Sequence, residues 1–224
     1  GTTPKPGEIS MAHNGILFLD ELPEFKRNAL EVLRQPLEEG AVRISRANMA
    51  TDFPADFTLI AAMNPCPCGY ATDPNKECQC TSYAVKRYRS KISGPLLDRI
   101  DMHVQVSPIP LIQLQSKREQ EPSSKIKKRV LSARHVQESR CSGSKHVSWN
   151  SNLSPLQIKS FCSLPKEASQ LLENAMEKLN LSARSYHRIL KVSRTIADLE
   201  GSEDILSNHI AEALHYRCLD RENL

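Results

Sequence analysis

The run Gly15-Ile-Leu-Phe-Leu19 is apolar throughout and stops at two carboxylates, Asp20 and Glu21. No other feature constrains the fold as much. A strand without polar and apolar alternation offers no face to water, so it belongs in a parallel sheet covered on both sides, with polar groups at its carboxyl edge. Phe57-Thr-Leu-Ile-Ala-Ala62 repeats the pattern and is followed by Asn64. Two such strands, with polar residues beyond their carboxyl ends, describe an open α/β sheet that binds ligands along that edge.

Between these strands Pro23 is expected to open a helix that carries Leu30, Leu33 and Leu37 on one face, with Gly40 ending it. Val42, Ile44 and Arg46, turning at Ala47-Asn48 toward Thr51, read as a hairpin that runs to Phe53. After a strand-like Met102-His-Val-Gln-Val106, the prolines Pro108, Pro110 and Pro122 mark a linker. Helical periodicity then takes over at 125–139, from Ser154-Pro155, at 166–179, at 182–199 and at 207–219. The expected organisation is an α/β core over residues 1–106, a linker over 107–124 and an all-helical domain over 125–224.

Charge and composition narrow the class. The formal net charge is +4, and residues 117–145 alone carry nine basic side chains against three acidic ones. That density suits a polyanion partner or a solvated basic helix face. Only 5% of residues are aromatic, which argues against a stacking platform for single-stranded nucleic acid. The apolar runs are too short to span a bilayer, and Gly-Thr-Thr-Pro-Lys-Pro-Gly7 has neither the charge nor the apolar stretch of a signal peptide. It reads as the start of a piece cut from a longer protein. Seven cysteines, four of them between Cys66 and Cys80, suit a reducing cytosol and a local metal site better than a disulfide framework.

The chemistry points to nucleotide. An Asp at a strand terminus can hold a water ligand of Mg²⁺ on a bound nucleotide, and the Glu after it can polarise the attacking water; this is the Walker B arrangement. Apolar runs ending in Asp-Glu also arise in ordinary cores, so the run alone leaves both readings open. Cys66-Pro-Cys68 and Cys78-Gln-Cys80 bring four thiols into one loop after the second strand. Four thiolates can enclose Zn²⁺ tetrahedrally, with free thiols as the alternative. Arg43 and Arg46 lie on the hairpin, where either could reach phosphates or simply face solvent. Lys86, Arg87, Arg89 and Lys91 form a second basic helix, which reads as a solvated face or a subunit contact. Seven scattered histidines show no metal-ligand spacing.

Three segments taken together resemble one family. They are Gly7-Glu-Ile-Ser-Met-Ala-His-Asn-Gly-Ile-Leu-Phe-Leu-Asp-Glu21, Met63-Asn64-Pro65 and Gly94-Pro-Leu-Leu-Asp-Arg-Ile-Asp101. They resemble the magnesium-chelatase-like AAA+ ATPases along essentially the whole chain. The cysteine loop and Ser185-Tyr-His-Arg-Ile-Leu190 resemble the ComM or YifB-like branch, bacterial ATPases linked to DNA branch migration during natural transformation.

The resemblance implies Asp20 and Glu21 as Walker B, Asn64 as sensor 1, Arg99 as arginine finger and Arg184 as sensor 2. Without it, Arg99 reads as a salt bridge to Asp98 or Asp101, and Arg184 as a solvated first-turn residue. It also implies ATP and Mg²⁺ as cofactors, a partial AAA+ core followed by a helical lid, and a hexameric, cytoplasmic ring. That ring would act on branched or single-stranded DNA, with no membrane partner. The hairpin is similar in position to the presensor-1 hairpin of minichromosome-maintenance helicases, which implies that Arg43 or Arg46, three residues apart and not bound to share a face, reaches DNA phosphates in the pore of a ring. No Gly-x-x-x-x-Gly-Lys-Ser/Thr occurs, so the phosphate cradle is absent and the chain by itself is expected to be inactive as an ATPase. The alternatives are a chelatase motor subunit that drives Mg²⁺ into a porphyrin, and a module that only docks nucleic acid or protein.

Overall fold

The structure, a computed structural model, describes residues 4–46, 49–109, 121–141, 149–217 and 219. It divides into two compact units, Gly1–Ile100 and Asp101–Leu224.

The first unit opens with a helical turn, α1 (Glu8–Met11), and then β1 (Ile16–Leu19). β1 pairs in parallel with β4 (Thr58–Ala61), in the register Ile16↔Thr58 to Leu19↔Ala61. The crossover between them is not the single helix expected from Pro23 to Gly40. Its helical part comprises a 3-10 turn (Leu22–Glu24), α2 (Arg27–Val32) and α3 (Pro36–Glu39). Pro36 explains the break, because it has no N–H to give the carbonyl of Val32, and its ring fits only the first turn of a new helix. Gly40 closes α3 at φ 64°, a left-handed position that suits glycine.

β2 (Ala41–Arg46) and β3 (Met49–Pro54) form the expected antiparallel hairpin. After β4 come the cysteine loop, α4 (Ser82–Arg89) and α5 (Gly94–Leu97). The strands are not buried on both faces as their composition suggested. Ile16 and Phe18 are 63% and 58% exposed, while Leu17 and Leu19 are half-buried, since the described residues lay cover over one face only.

In the second unit Met102–Val106 is not a strand. Among the described residues the segment makes one bridge, His103 to Arg217, and Val104 and Val106 stay exposed with no partner strand. The rest is helical: α6 (Ser123–Arg140), a 3-10 turn (Asn150–Asn152), α7 (Pro155–Phe161), α8 (Lys166–Lys178), α9 (Ala183–Glu200) and α10 (Ser207–His215). Ser154 caps α7 in a reciprocal box with Gln157, and Pro155 takes the first helical position. Leu172 of α8, Ile189, Leu190 and Ala197 of α9, and Ile210 and Leu214 of α10 form one continuous apolar core. A buried carboxylate, Asp198, joins it. Arg194 Nε donates to Asp198 Oδ1 at 3.0 Å, Asn150 Nδ2 donates to Oδ2 at 2.8 Å, and Arg140 pairs with both oxygens.

Candidate nucleotide site and cysteine loop

The parallel pair continues one step past its strands. Ala62 N–H donates to the Leu19 carbonyl and Leu22 N–H to the Ala62 carbonyl, both at 2.9 Å. These bonds set the carboxyl ends of β1 and β4 side by side, so Asp20 and Glu21 emerge beside the segment that carries Asn64. All three residues are exposed. Glu21 is one of the few non-glycine residues at positive φ, 51°, and its N–H donates to Asp20 Oδ1 at 2.8 Å. A left-handed glutamate is uncommon, and such backbone outliers gather at functional turns.

Two side chains of α4 reach this edge. Arg89 Nε donates to the Pro65 carbonyl at 3.1 Å. Tyr88 is buried, and its hydroxyl lies in electrostatic reach of the Asn64 backbone. Burial first, and then the negative charges of Glu24 and Glu21, hold the phenol above its ordinary range, so it stays protonated. Lys91 pairs with Glu24 at 3.4 Å. The basic stretch 86–91 is thus only partly a solvated face: Lys86 and Arg87 are exposed, while Arg89 and Lys91 are engaged with the edge that carries Glu24 and Pro65.

Arg99 is in the same unit but not at the strand edge. Its side chain is 8% exposed, ion-paired with Glu38 of α3, and its Nη1 donates to the Pro95 carbonyl at 2.7 Å. Glu38 was not singled out from sequence, because it reads as one of several helix-surface acids. Arg184 is the second residue of α9 in the other unit and is exposed. Arg43 is exposed on β2, directly opposite Asp52 on β3, and its Nε donates to Asp52 Oδ1 at 3.1 Å. The backbone of Arg46 ends β2; its side chain lies outside the described residues.

The four cysteines converge. Their sulfurs all lie within 4.8 Å of one another, with Cys66 to Cys68 at 3.3 Å and Cys78 at 3.6 Å from both. Four ligands at Zn–S distances of about 2.3 Å in a tetrahedron would stand about 3.8 Å apart, so the cluster has the right size for one ion. A hydrogen bond from the Tyr70 backbone draws the Cys68 thiol down to about 6, while the adjacent Cys68 sulfur above all pushes Cys80 up to about 12. No disulfide occurs among the described cysteines.

Residues 1–114 match the family described as magnesium chelatase, subunit ChlI, and residues 120–217 match its C-terminal family. The chain belongs to the magnesium chelatase ChlI family. It is 47% identical over 99% of its length to competence protein ComM of Haemophilus influenzae. It is 44% identical over 99% of its length to the uncharacterized protein YifB of Escherichia coli. In both cases it spans 42% of the relative's length. Likeness to the magnesium-chelatase 67 kDa subunit of Chlorobaculum parvum is 32% over 26% of this chain and 10% of that protein. No helix among the described residues is long and apolar enough to cross a membrane.

Proposed function

We propose that this chain is the hydrolysis half, with the helical lid, of a cytoplasmic AAA+ motor that assembles as a hexameric ring and moves on branched or single-stranded DNA. The observation that carries this reading is the joining of Asp20, Glu21 and the Asn64 segment along one edge of a parallel pair. Exposed carboxylate oxygens are the donors that Mg²⁺ prefers. Asp20 would hold the metal side of Mg·ATP, which supplies the phosphoryl group and charge neutralisation when bound. Glu21 accepts the proton of the attacking water and Asn64 orients that water. Arg184 reports nucleotide state from the lid, Arg99 reaches a neighbouring subunit's site, and Arg43 and Arg46 contact DNA phosphates. The four cysteines hold one structural Zn²⁺.

Support for a DNA motor over a porphyrin chelatase is the extent of likeness: it runs the length of the chain toward ComM and over a quarter of it toward the chelatase subunit. Since these 224 residues contain no phosphate-binding loop, the chain by itself should hydrolyse no ATP.

The test is ATP turnover by the full-length protein with and without branched DNA. DNA-stimulated turnover, lowered roughly 100- to 10,000-fold by Glu21→Gln, is the expected result. Stimulation only by a porphyrin-binding partner would select the chelatase reading, and unchanged turnover in Glu21→Gln would remove Glu21 from the chemistry.

A further inference from the structure

The cysteine cluster is bound into the same short segment that carries Asn64. Cys66 follows Asn64 by two residues and is fully buried. Between them the Pro65 carbonyl is held by Arg89 at 3.1 Å, and the Asn64 backbone lies beside the Tyr88 hydroxyl. Both of those side chains belong to α4, which starts at Ser82 after its cap, Thr81, whose hydroxyl accepts from Ala84 N–H at 3.2 Å. Thr81 directly follows Cys80. The chain therefore makes a closed circuit: β4, Asn64, Cys66 and Cys68, an excursion, Cys78 and Cys80, α4, and back through Tyr88 and Arg89 to Asn64 and Pro65.

The excursion has no core of its own. From Tyr70 to Glu77 every residue is exposed except half-buried Asp73. Its contacts among the described residues are local, such as Asn75 N–H to Asp73 Oδ1 at 2.8 Å and Lys76 over the Tyr70 ring. Closing such a loop costs entropy that local polar contacts do not offset. The sulfur cluster is what draws Cys78 and Cys80, and with them the start of α4, onto Cys66.

We infer that one Zn²⁺ held by Cys66, Cys68, Cys78 and Cys80 acts as a clamp on Asn64, so that metal loading sets the turnover number of the nucleotide site and leaves its ATP affinity alone. The inference rests on the zinc and ATPase readings above. Asn64 is a positioning residue for the attacking water, and such a residue acts by place rather than by affinity. A misplacement of about 1 Å costs up to about 100-fold in rate. Polyphosphate binding depends on other groups and is spared.

The test uses full-length protein purified under reducing conditions without chelator. Metal analysis should find one zinc per chain, and Co²⁺ exchanged into the site should give the thiolate charge-transfer bands of a tetrahedral sulfur centre. Stripping the zinc, or the pair Cys78→Ser with Cys80→Ser, should lower kcat roughly 10- to 100-fold with ATP affinity and helical circular dichroism unchanged. Zinc returned to stripped wild-type protein should restore kcat. In an Asn64→Ala background stripping should cause no further loss, because the effect runs through Asn64.

Protein that carries no zinc overturns the metal reading and this inference with it, while the ATPase reading stands. Zinc present but without effect on kcat overturns the coupling alone. Loss of helicity on stripping, or an equal loss in the Asn64→Ala background, assigns the ion to fold stability and also overturns the coupling. Metal-loaded wild type without turnover overturns the ATPase reading and takes the inference with it.

Discussion

The two units differ in how their regular elements are covered. The helical unit packs α7 to α10 around a continuous apolar core and satisfies its buried Asp198 with two guanidinium groups and an amide. The α/β unit leaves Ile16, Phe18 and Ile60 exposed on the β1–β4 parallel pair, and it carries Asp20, Glu21 and Asn64. The candidate chemistry thus sits beside an open apolar strand face. Contiguous apolar surface of that kind marks a face made to be covered. A unit built on a continuous helical core and a unit whose strand face is open should respond differently to substitution.

The largest effect should come from Arg99, through which a neighbouring subunit would complete the α/β unit. Arg99→Ala in the full-length protein should retain nucleotide binding and lose turnover on the order of 1000-fold, the low end for an arginine finger. Because Arg99 is paired with Glu38 within the chain, reaching across an interface requires leaving that partner. Mixing Arg99→Ala with Glu21→Gln protein allows an interface to combine an intact Glu21 with an intact Arg99. Recovered activity in mixed rings supports action across the interface. No recovery, together with a stability loss matched by Glu38→Gln, makes the pair an internal brace.

Within the helical unit the matching experiment removes a buried charge. Asp198→Ala leaves Arg194 buried without its carboxylate, which should cost roughly 3 kcal/mol, the low end for breaking a buried pair because Arg140 can rehydrate. Urea unfolding followed by helical circular dichroism checks it. ATP turnover measured below the unfolding midpoint should be changed far less than by Arg99→Ala. A result within 0.5 kcal/mol of wild type would show that the network is less tightly committed than its geometry indicates.

Acid should act on the same unit. Burial first, and then the nearby Arg217 charge, pull His103 down to about 4 from 6.5. The unfolded chain takes up that proton near 6.5 while the folded chain does not until about 4. The stabilisation is therefore whole above pH 6.5 and lost as pH falls through that window. The loss should be on the order of 2 kcal/mol and should shrink in His103→Gln. A stability curve flat from pH 6.5 to 4.5 would contradict it.

What was legible in the sequence follows the same division. Helices α6 to α10 were readable because their apolar residues recur at helical spacing and Ser154, Pro155 and Ser182 mark the starts. The parallel strands, the hairpin and the meeting of four cysteines were readable from short apolar runs and spacing. The break at Pro36 was not, because Leu30, Leu33 and Leu37 keep a helical period across it. Met102–Val106 has the alternation of a strand and no strand beside it among the described residues. The site partners Glu38 and Tyr88 were hidden because each acts through a contact distant in sequence, on Arg99 and Asn64, which no local pattern encodes.

The smallest effect concerns the hairpin, and it tests whether the exposed part of the α/β unit meets DNA. Arg43 is not a free cation: Asp52 sits opposite it on β3 and accepts its Nε, with both side chains more than half exposed. An exposed pair of this kind contributes about 0.2–1 kcal/mol, so a DNA phosphate can displace the carboxylate at small cost. Each phosphate neutralised contributes about 0.9 to the slope of log affinity against log salt. Arg43→Ala with Arg46→Ala in the full-length protein should therefore weaken binding similarly across sequences and flatten that slope by about one per lost contact, two if both arginines engage. Asp52→Asn should act in the opposite sense and strengthen binding by less than about 1 kcal/mol, since Arg43 no longer has a carboxylate to leave. An unchanged slope in the double variant, or no gain in Asp52→Asn, would take the hairpin off the DNA path and leave Arg43 and Asp52 as an ordinary cross-strand pair.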